Sequence, residues 1–198
     1  MHPNRGRLHQ ILLDRSLRFG DFTLASGAKS RFYVDVRKTS LDPAGARAIG
    51  RILEETYATD LATGRITAVG GLTLGADPIV VAFALEALAW GTSLEAFLVR
   101  KAQKEHGAQN LIEGNLSRGA RALIVEDVCT SGESALAAVR AAREAGAVVE
   151  RAWCVVDRNA GGREALATEG VALAACFTLE ELLQATPEGR SILAAHPA

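Results

Sequence analysis

This sequence predicts an α/β fold built on a mostly parallel sheet, and three observations carry that prediction. Short apolar runs suited to buried strands recur at residues 66–69, 94–99, 123–125, 148–156 and 171–177. Helix-like segments lie between most of them, which calls for crossover connections, parallel pairing and helices on both faces of the sheet. Charged and glycine-rich residues cluster just after these runs, and open α/β sheets bind ligands beyond the carboxyl ends of their strands. At 198 residues and 48% hydrophobic, the chain suits a single domain over 1–198 with a substantial core. About the first 40 residues do not fit the alternation and are expected to form a helix and a small N-terminal hood.

In chain order, residues 8–18 read as an amphipathic helix, with Leu8, Ile11, Leu12 and Leu17 largely on one face. Residues 22–30 read as a hairpin turning near Gly27, and residues 32–36 alternate as a strand does. Asp42 and Pro43 supply an N-cap and a first helical residue for a helix reaching about Thr59. The strand at 66–69 leads into a loop at 70–78, an apolar helix at 79–90 and the strand at 94–99. Polar, Gly-punctuated sequence fills 100–114. After the strand at 123–125 comes an alanine-rich helix over 134–146, then the strand at 148–156, ending at Asp157 and Arg158. A short helix at 163–169, a strand at 171–177 and a capped helix at 178–185 complete the reading.

Composition narrows the function classes. A net charge of −1 gives no broad electrostatic case for nucleic acid or membrane surfaces. No run approaches the ~20 apolar residues of a membrane helix. The basic start, Met1 to Arg7, is not followed by a signal-type apolar stretch. The three cysteines, Cys129, Cys154 and Cys176, are an odd and scattered set, so a reducing cytoplasm is expected, with Cys154 and Cys176 as buried thiols. Cys129 sits in a more interesting loop, but no histidine lies nearby in sequence to activate it as a nucleophile.

Ala122 to Ser134 is the most informative stretch. The apolar run Leu123-Ile124-Val125 is followed by two adjacent acids, Glu126 and Asp127, where the strand is expected to end. A small hydroxyl-rich turn, Thr130-Ser131-Gly132, then opens a helix. Helix N-termini offer unpaired N–H groups and a positive dipole end, both suited to phosphate. The acids can accept hydrogen bonds from sugar hydroxyls beside it. An ordinary βα connection with a solvated acidic pair is the alternative, since such turns often carry Ser, Thr and Gly. No Gly-Lys-Ser/Thr closes the loop and no Gly-x-Gly-x-x-Gly spacing is present, so it is neither a Walker loop nor a dinucleotide fingerprint. The segment closely resembles the phosphoribosyl-pyrophosphate (PRPP) signature of type I phosphoribosyltransferases. That resemblance implies the fold of the family and PRPP contacts from Glu126, Asp127, Val128, Cys129, Thr130, Ser131, Gly132, Glu133 and Ser134.

Four further segments bear on the acceptor. Arg100-Lys101-Ala102-Gln103-Lys104-Glu105-His106 puts three cations and a histidine in a short polar stretch. Taken alone it reads first as a solvated basic loop; opposite a phosphate site, such donors suit a departing pyrophosphate. Asp157-Arg158-Asn159-Ala160-Gly161-Gly162 places an arginine at a strand end, where it can grip a carboxylate with a two-pronged bond or simply face solvent. Phe22 to Gly27, with Lys29, Ser30 and Tyr33, and Gly71 to Pro78 are the other two. Together these segments resemble orotate phosphoribosyltransferases over about residues 8–185, in the same order.

The resemblance implies transfer of the 5-phosphoribosyl group of PRPP to orotate in pyrimidine (UMP) biosynthesis. It implies two catalytic residues: Lys104, the main catalytic loop lysine, and Asp127, whose charge grips the ribose and opposes the developing cation. It further implies pyrophosphate contacts from Arg100, Lys101 and His106, and orotate contacts from Arg158, Thr130, Tyr33 and Ser26. Mg²⁺ is implied as cofactor, held mainly by PRPP, with no dedicated protein metal site. A homodimer is implied too, with the loop at 100–114 closing over the neighbouring subunit's site. Two positions depart from some members, which carry lysines where this chain has Ala25 and Gly75, and the Gly-x-Thr-x-Gly-Ala-Asp-Pro form resembles another branch of the family. A purine-base phosphoribosyltransferase would keep the signature without needing Arg158 or the basic loop. A non-catalytic PRPP sensor would call for a basic face or an added nucleic-acid-binding segment.

Overall fold

A computed structural model describes residues 3–23, 27, 29–101 and 111–195. Helix α1 (Pro3–Ile11) runs into a π turn over Leu12–Ser16 and then into strand β1 (Leu17–Thr23). The helix expected over 8–18 therefore starts earlier and ends sooner. Leu8 and Leu12 are fully buried one turn apart, whereas Leu17 and Arg18 alternate buried and exposed as strand residues. β1 pairs antiparallel with β2 (Lys29–Val34), setting Leu17 opposite Val34 and Phe19 opposite Phe32. The strand expected at 32–36 is thus the second arm of the hairpin rather than a separate element. Val36 leaves it and caps α2 (Arg37–Ser40).

Helix α3 (Pro43–Ala62) begins as its sequence predicts. Asp42 Oδ1 accepts from the N–H groups of Ala44 and Gly45, both at 3.1 Å, and Pro43 takes the first position. A cap of this kind stabilises a helix by about 1 kcal/mol. The main sheet contains β3 (Ala68–Leu72), β4 (Glu95–Val99), β5 (Ile112–Gly114), β6 (Arg121–Cys129), β7 (Val148–Asp157) and β8 (Ala172–Thr178). Their order is β5-β4-β3-β6-β7-β8, and every pairing except β4 with β5 is parallel. Helices α4 (Asp77–Ala89), α5 (Glu133–Glu144), α6 (Gly162–Thr168) and α7 (Leu179–Gln184) follow β3, β6, β7 and β8 in turn, and α8 (Pro187–Ala195) ends the described chain. β5 and α8 are not foreseen from sequence. β5 is three residues of a polar stretch that pair only with the edge of β4.

Alternation along the central strands divides the core between two faces. Leu123, Val125, Trp153 and Val155 pack with α1, α3 and α4, while Ala122, Ile124, Ala152 and Cys154 pack with α5 and α6. The α1 helix belongs to this body. Arg5 Nε donates to the Cys176 carbonyl at 3.1 Å, and its Nη2 lies 2.7 Å from Glu181 Oε1. Among the described residues only the β1–β2 hairpin forms a sheet of its own, anchored at its base by a buried Ser16–Thr39 hydroxyl pair at 2.7 Å.

The loop expected at 70–78 starts later, because Gly70 and Gly71 belong to β3. A side chain at Gly70 would meet the Phe97 ring, and one at Gly71 the Val125 carbonyl oxygen. Glycine is what lets β3 lie flat between its neighbours. Beyond these residues the centre of the sheet opens. β3 stays with β4 as far as Leu72–Val99, and β6 stays with β7 as far as Cys129–Asp157, but β3 and β6 stop pairing at Gly70–Ile124. The chain winds outward in opposite directions from these two strands, so the opening lies at the switch point where such sheets bind ligands.

Candidate active site

A cavity of about 240 Å³ occupies that opening. Glu126, Asp127 and Val128 line it from β6, Ser134 from α5, and Leu72 to Gly75 from the end of β3 and the loop after it. The hairpin side contributes Tyr33, Val34, Asp35 and Arg37, and Lys101 borders it from the end of β4. The acid pair was expected where its strand ends, yet β6 continues through Cys129 because β7 keeps pairing with it. The acids are nevertheless free of β3, and this leaves them facing the cavity.

Burial dominates the electrostatics of the pair. It pushes Glu126 up to about 7, the Asp127 charge adds to the rise, and the Ser134 hydroxyl offsets part of it. Glu126 Oε2 is buried and has no hydrogen-bond partner among the described residues. Burial also raises Asp127, opposed by the Val128 N–H, which donates to Oδ1 at 2.9 Å, and by the Arg37 guanidinium. The Arg37 Nε is itself 2.9 Å from Asp35 Oδ1. A Cβ at Gly75 would lie 2.5 Å from Asp127 Oδ1. The space that a side chain at this departure from some members would need is thus the space that Asp127 occupies.

The small turn after β6 is built on glycine. Gly132, at φ 79°, caps α5, and Thr130 and Ser131 are exposed around it. The first N–H groups of any helix have no intrahelical partner, so the α5 start presents donors at the turn. Cys129 faces away from this surface. It is 1% exposed, and burial, with Glu126 and Asp157 nearby, pushes its thiol up to about 12, an inert packed group. Cys154 and Cys176 are likewise buried and unpaired. Glu133 and Ser134 border a second cavity of about 270 Å³ together with Arg100 and Lys101. Lys101 therefore stands between the two cavities, whereas Arg100 pairs with Glu113 at 3.3 Å.

Arg158 leaves β7 beside the same turn, its N–H donating to the Cys129 carbonyl at 2.9 Å. Its guanidinium has no hydrogen-bond or ion-pair partner among the described residues. Ser26, Lys104 and His106, like Ala25, lie outside the described residues. Asp35 and Arg37 are cavity residues that sequence reasoning missed. Their signal was weak: an acid and a base two apart at the end of a hairpin arm, a pattern usual for solvated chain ends.

Three comparisons bear on this site. Residues 38–172 match the family model described as phosphoribosyl transferase domain. The orotate phosphoribosyltransferase of Aquifex aeolicus is 43% identical over 182 residues, covering 90% of this chain and 97% of the relative. That of Streptomyces avermitilis is 44% identical over 183 residues, covering 92% and 98%. Among solved structures, the orotate phosphoribosyltransferase of Mycobacterium tuberculosis in complex with PRPP superposes with a TM-score of 0.75 at 37% identity, covering 91% of this chain and 99% of that one. The adenine phosphoribosyltransferase of Saccharomyces cerevisiae, at 18% identity and a TM-score of 0.64, shares the fold.

Proposed function

From the premise that this chain belongs to the orotate phosphoribosyltransferase family, we infer that it transfers the 5-phosphoribosyl group of PRPP to orotate. The products are orotidine 5′-monophosphate and pyrophosphate, a step of UMP biosynthesis. The observation that carries this reading is the meeting of an acid pair and a helix start where β3 and β6 part, with Arg158 leaving β7 beside the turn that opens that helix.

The reaction needs no protein nucleophile, because the ring nitrogen of orotate attacks the anomeric carbon. The protein's work is positioning and electrostatics. Thr130 to Ser134 hold the 5′-phosphate at the start of α5, and Glu126 and Asp127 accept hydrogen bonds from the ribose hydroxyls. The negative charge of Asp127 also favours the oxocarbenium character that develops as pyrophosphate departs. Lys101, Arg100, Lys104 and His106 neutralise the leaving group, and Arg158 binds the orotate carboxylate, with Thr130, Tyr33 and Ser26 around the base. The carboxylates of Glu126 and Asp127 fit a Mg²⁺ ion that enters with its substrate, since Mg²⁺ keeps few protein ligands and the orphaned Glu126 oxygen can accept from a hydroxyl or a bound water. When bound, the ion spreads the charge of the pyrophosphate.

The active form is a homodimer in which the loop at 100–114 serves the neighbouring site. What supports a partner is α4. Its inner residues Ile79, Val80 and Phe83 are buried, yet its outer residues Val81, Leu85 and Leu88 are 56%, 61% and 60% exposed. A helix apolar all round is ordinarily covered on both sides. No helix among the described residues is long and apolar enough to cross a membrane, and the three unpaired thiols support a cytoplasmic location.

Loss of orotate absorbance in the presence of PRPP and Mg²⁺, with adenine, hypoxanthine and uracil as controls, tests the substrate. Turnover of a control base in place of orotate would overturn the reading. Arg158→Ala should raise the orotate KM about tenfold to a hundredfold, the worth of a charge-assisted pair, and change PRPP binding little. Unchanged orotate kinetics in the folded variant would remove Arg158 from the base site.

A further inference from the structure

Arg158 carries the choice of base in the reading above, yet it sits in a turn with little side-chain packing of its own. Its neighbours show what holds it. Asp157, the last residue of β7, is fully buried and both of its carboxylate oxygens are engaged. Oδ1 accepts the Asn159 N–H at 2.9 Å, closing a side-chain turn around Arg158, and Asn159 takes the left-handed φ of 51° that this reversal needs. Oδ2 lies 3.0 Å from Nη2 of Arg163, at the start of α6. The same guanidinium donates through Nη1 to the Leu173 carbonyl of β8. Arg163 thus ties the end of β7 to β8 and is the one cation paired with the Asp157 carboxylate among the described residues.

The other side of this turn is fixed by contact with the phosphate loop. Gly162 is buried so closely that a Cβ there would lie 2.5 Å from Cys129 Sγ and 2.7 Å from the Thr130 carbonyl oxygen. A Cβ on Gly132 would in turn lie 3.0 Å from the Gly162 carbonyl oxygen. The 158–162 turn therefore rests backbone to backbone on residues 129–132, and among the described residues its only charged tether is Asp157 with Arg163. Arg158 is held at its own N–H by Cys129 and at the next N–H by Asp157.

We propose that Arg163 is a positioning residue for the base: through the buried Asp157 carboxylate it holds the Arg158 turn in register with the phosphate loop, and so sets where the acceptor's carboxylate is received. This rests on the reading of Arg158 as the carboxylate ligand. An arginine is required because one guanidinium fork must satisfy a carboxylate and a carbonyl in different directions, which an ammonium group does less well. Removing it leaves a buried charge without its partner, and the turn that Asp157 organises relaxes.

The test is a double-mutant cycle on the full-length protein with Arg163→Met and Arg158→Ala, reading the orotate and PRPP KM values and kcat separately. Arg163→Met should raise the orotate KM about tenfold, as small misplacements of a binding group do, with the PRPP KM changed less than about threefold. Arg163→Lys should recover part of the loss. In the Arg158→Ala background, Arg163→Met should add almost nothing, because the group it positions is gone. Should Arg163→Met not fold by circular dichroism, Asp157→Asn, which keeps the shape and an acceptor for Asn159, should show the same orotate-specific rise. A raised orotate KM in Arg158→Ala beside an unchanged one in folded Arg163→Met, or in Asp157→Asn where Arg163→Met does not fold, overturns the proposal alone, as do fully additive effects. Wild-type orotate kinetics in Arg158→Ala overturn the carboxylate reading itself and the proposal with it.

Discussion

Glu126 shows how much a single residue's setting matters. Its carboxyl is raised to about 7 by burial and by Asp127, so the empty site holds it largely protonated below neutral pH. Accepting a ribose hydroxyl favours the ionised form, so PRPP affinity should fall as pH drops through about 7. Glu126→Gln should flatten that profile, which titration calorimetry between pH 6 and 8.5 would reveal. The stability sign is opposite to that of a salt-bridged acid. Folded Glu126 binds its proton more tightly than the unfolded chain does, so stability decreases as pH rises from the unfolded value of 4.5 to about 7. Glu126→Gln should therefore stabilise the empty protein by about 1–3 kcal/mol at pH 8 and hardly at all at pH 5. A gain equal at both pH values would show that the carboxyl is not the cause. None of this is readable from the order Glu-Asp in the chain, since the shift depends on how β3, β6 and α5 enclose the side chain.

Among the elements, β3 is where sequence and structure part most clearly. Gly70-Gly71 reads as the start of a loop, because glycine ordinarily weakens strands. Here it is demanded by the Phe97 ring on one side and the Val125 carbonyl on the other. Gly71→Ala should force β3 from β6 and cost about 1–3 kcal/mol, the usual penalty of overpacking. Chemical denaturation would measure it, and an unchanged midpoint would mean that the strands yield without cost. By contrast, α3 and α7 were legible because their caps are local. Asp42 and Pro43 start the first, and Thr178 with Glu181 forms a reciprocal capping box at the second. The hairpin was half legible: its turn was visible, but the pairing of Val34 with Leu17 depends on residues 17 apart in sequence.

At the scale of the whole molecule, the remaining question is how many chains build one site. Lys104 and Asp127 lie in separate segments of the sequence, and in the dimer proposed above they meet across subunits. Lys104→Ala should lower kcat with PRPP affinity largely intact, because its contact strengthens as pyrophosphate leaves. Asp127→Asn should be inactive yet folded. Mixed and refolded together, the two should regain up to about a quarter of wild-type activity, since half the dimers formed at random are mixed and each has one intact site. No recovery despite verified subunit exchange would place the loop in its own subunit's site.

The sequence by itself determined the α/β class, most helix starts and the Ala122–Ser134 signature, because strand runs, caps and the strand-acid-turn-helix order are properties of neighbouring residues. The tertiary structure alone decided that β3 and β6 part at Gly70–Ile124, that Asp35 and Arg37 border the cavity, and that Asp157 is tied to Arg163. These facts depend on pairing and burial between segments far apart in the chain. No periodicity or motif encodes the distance between them, which is set only when the strands choose their neighbours and the side chains between them lose water.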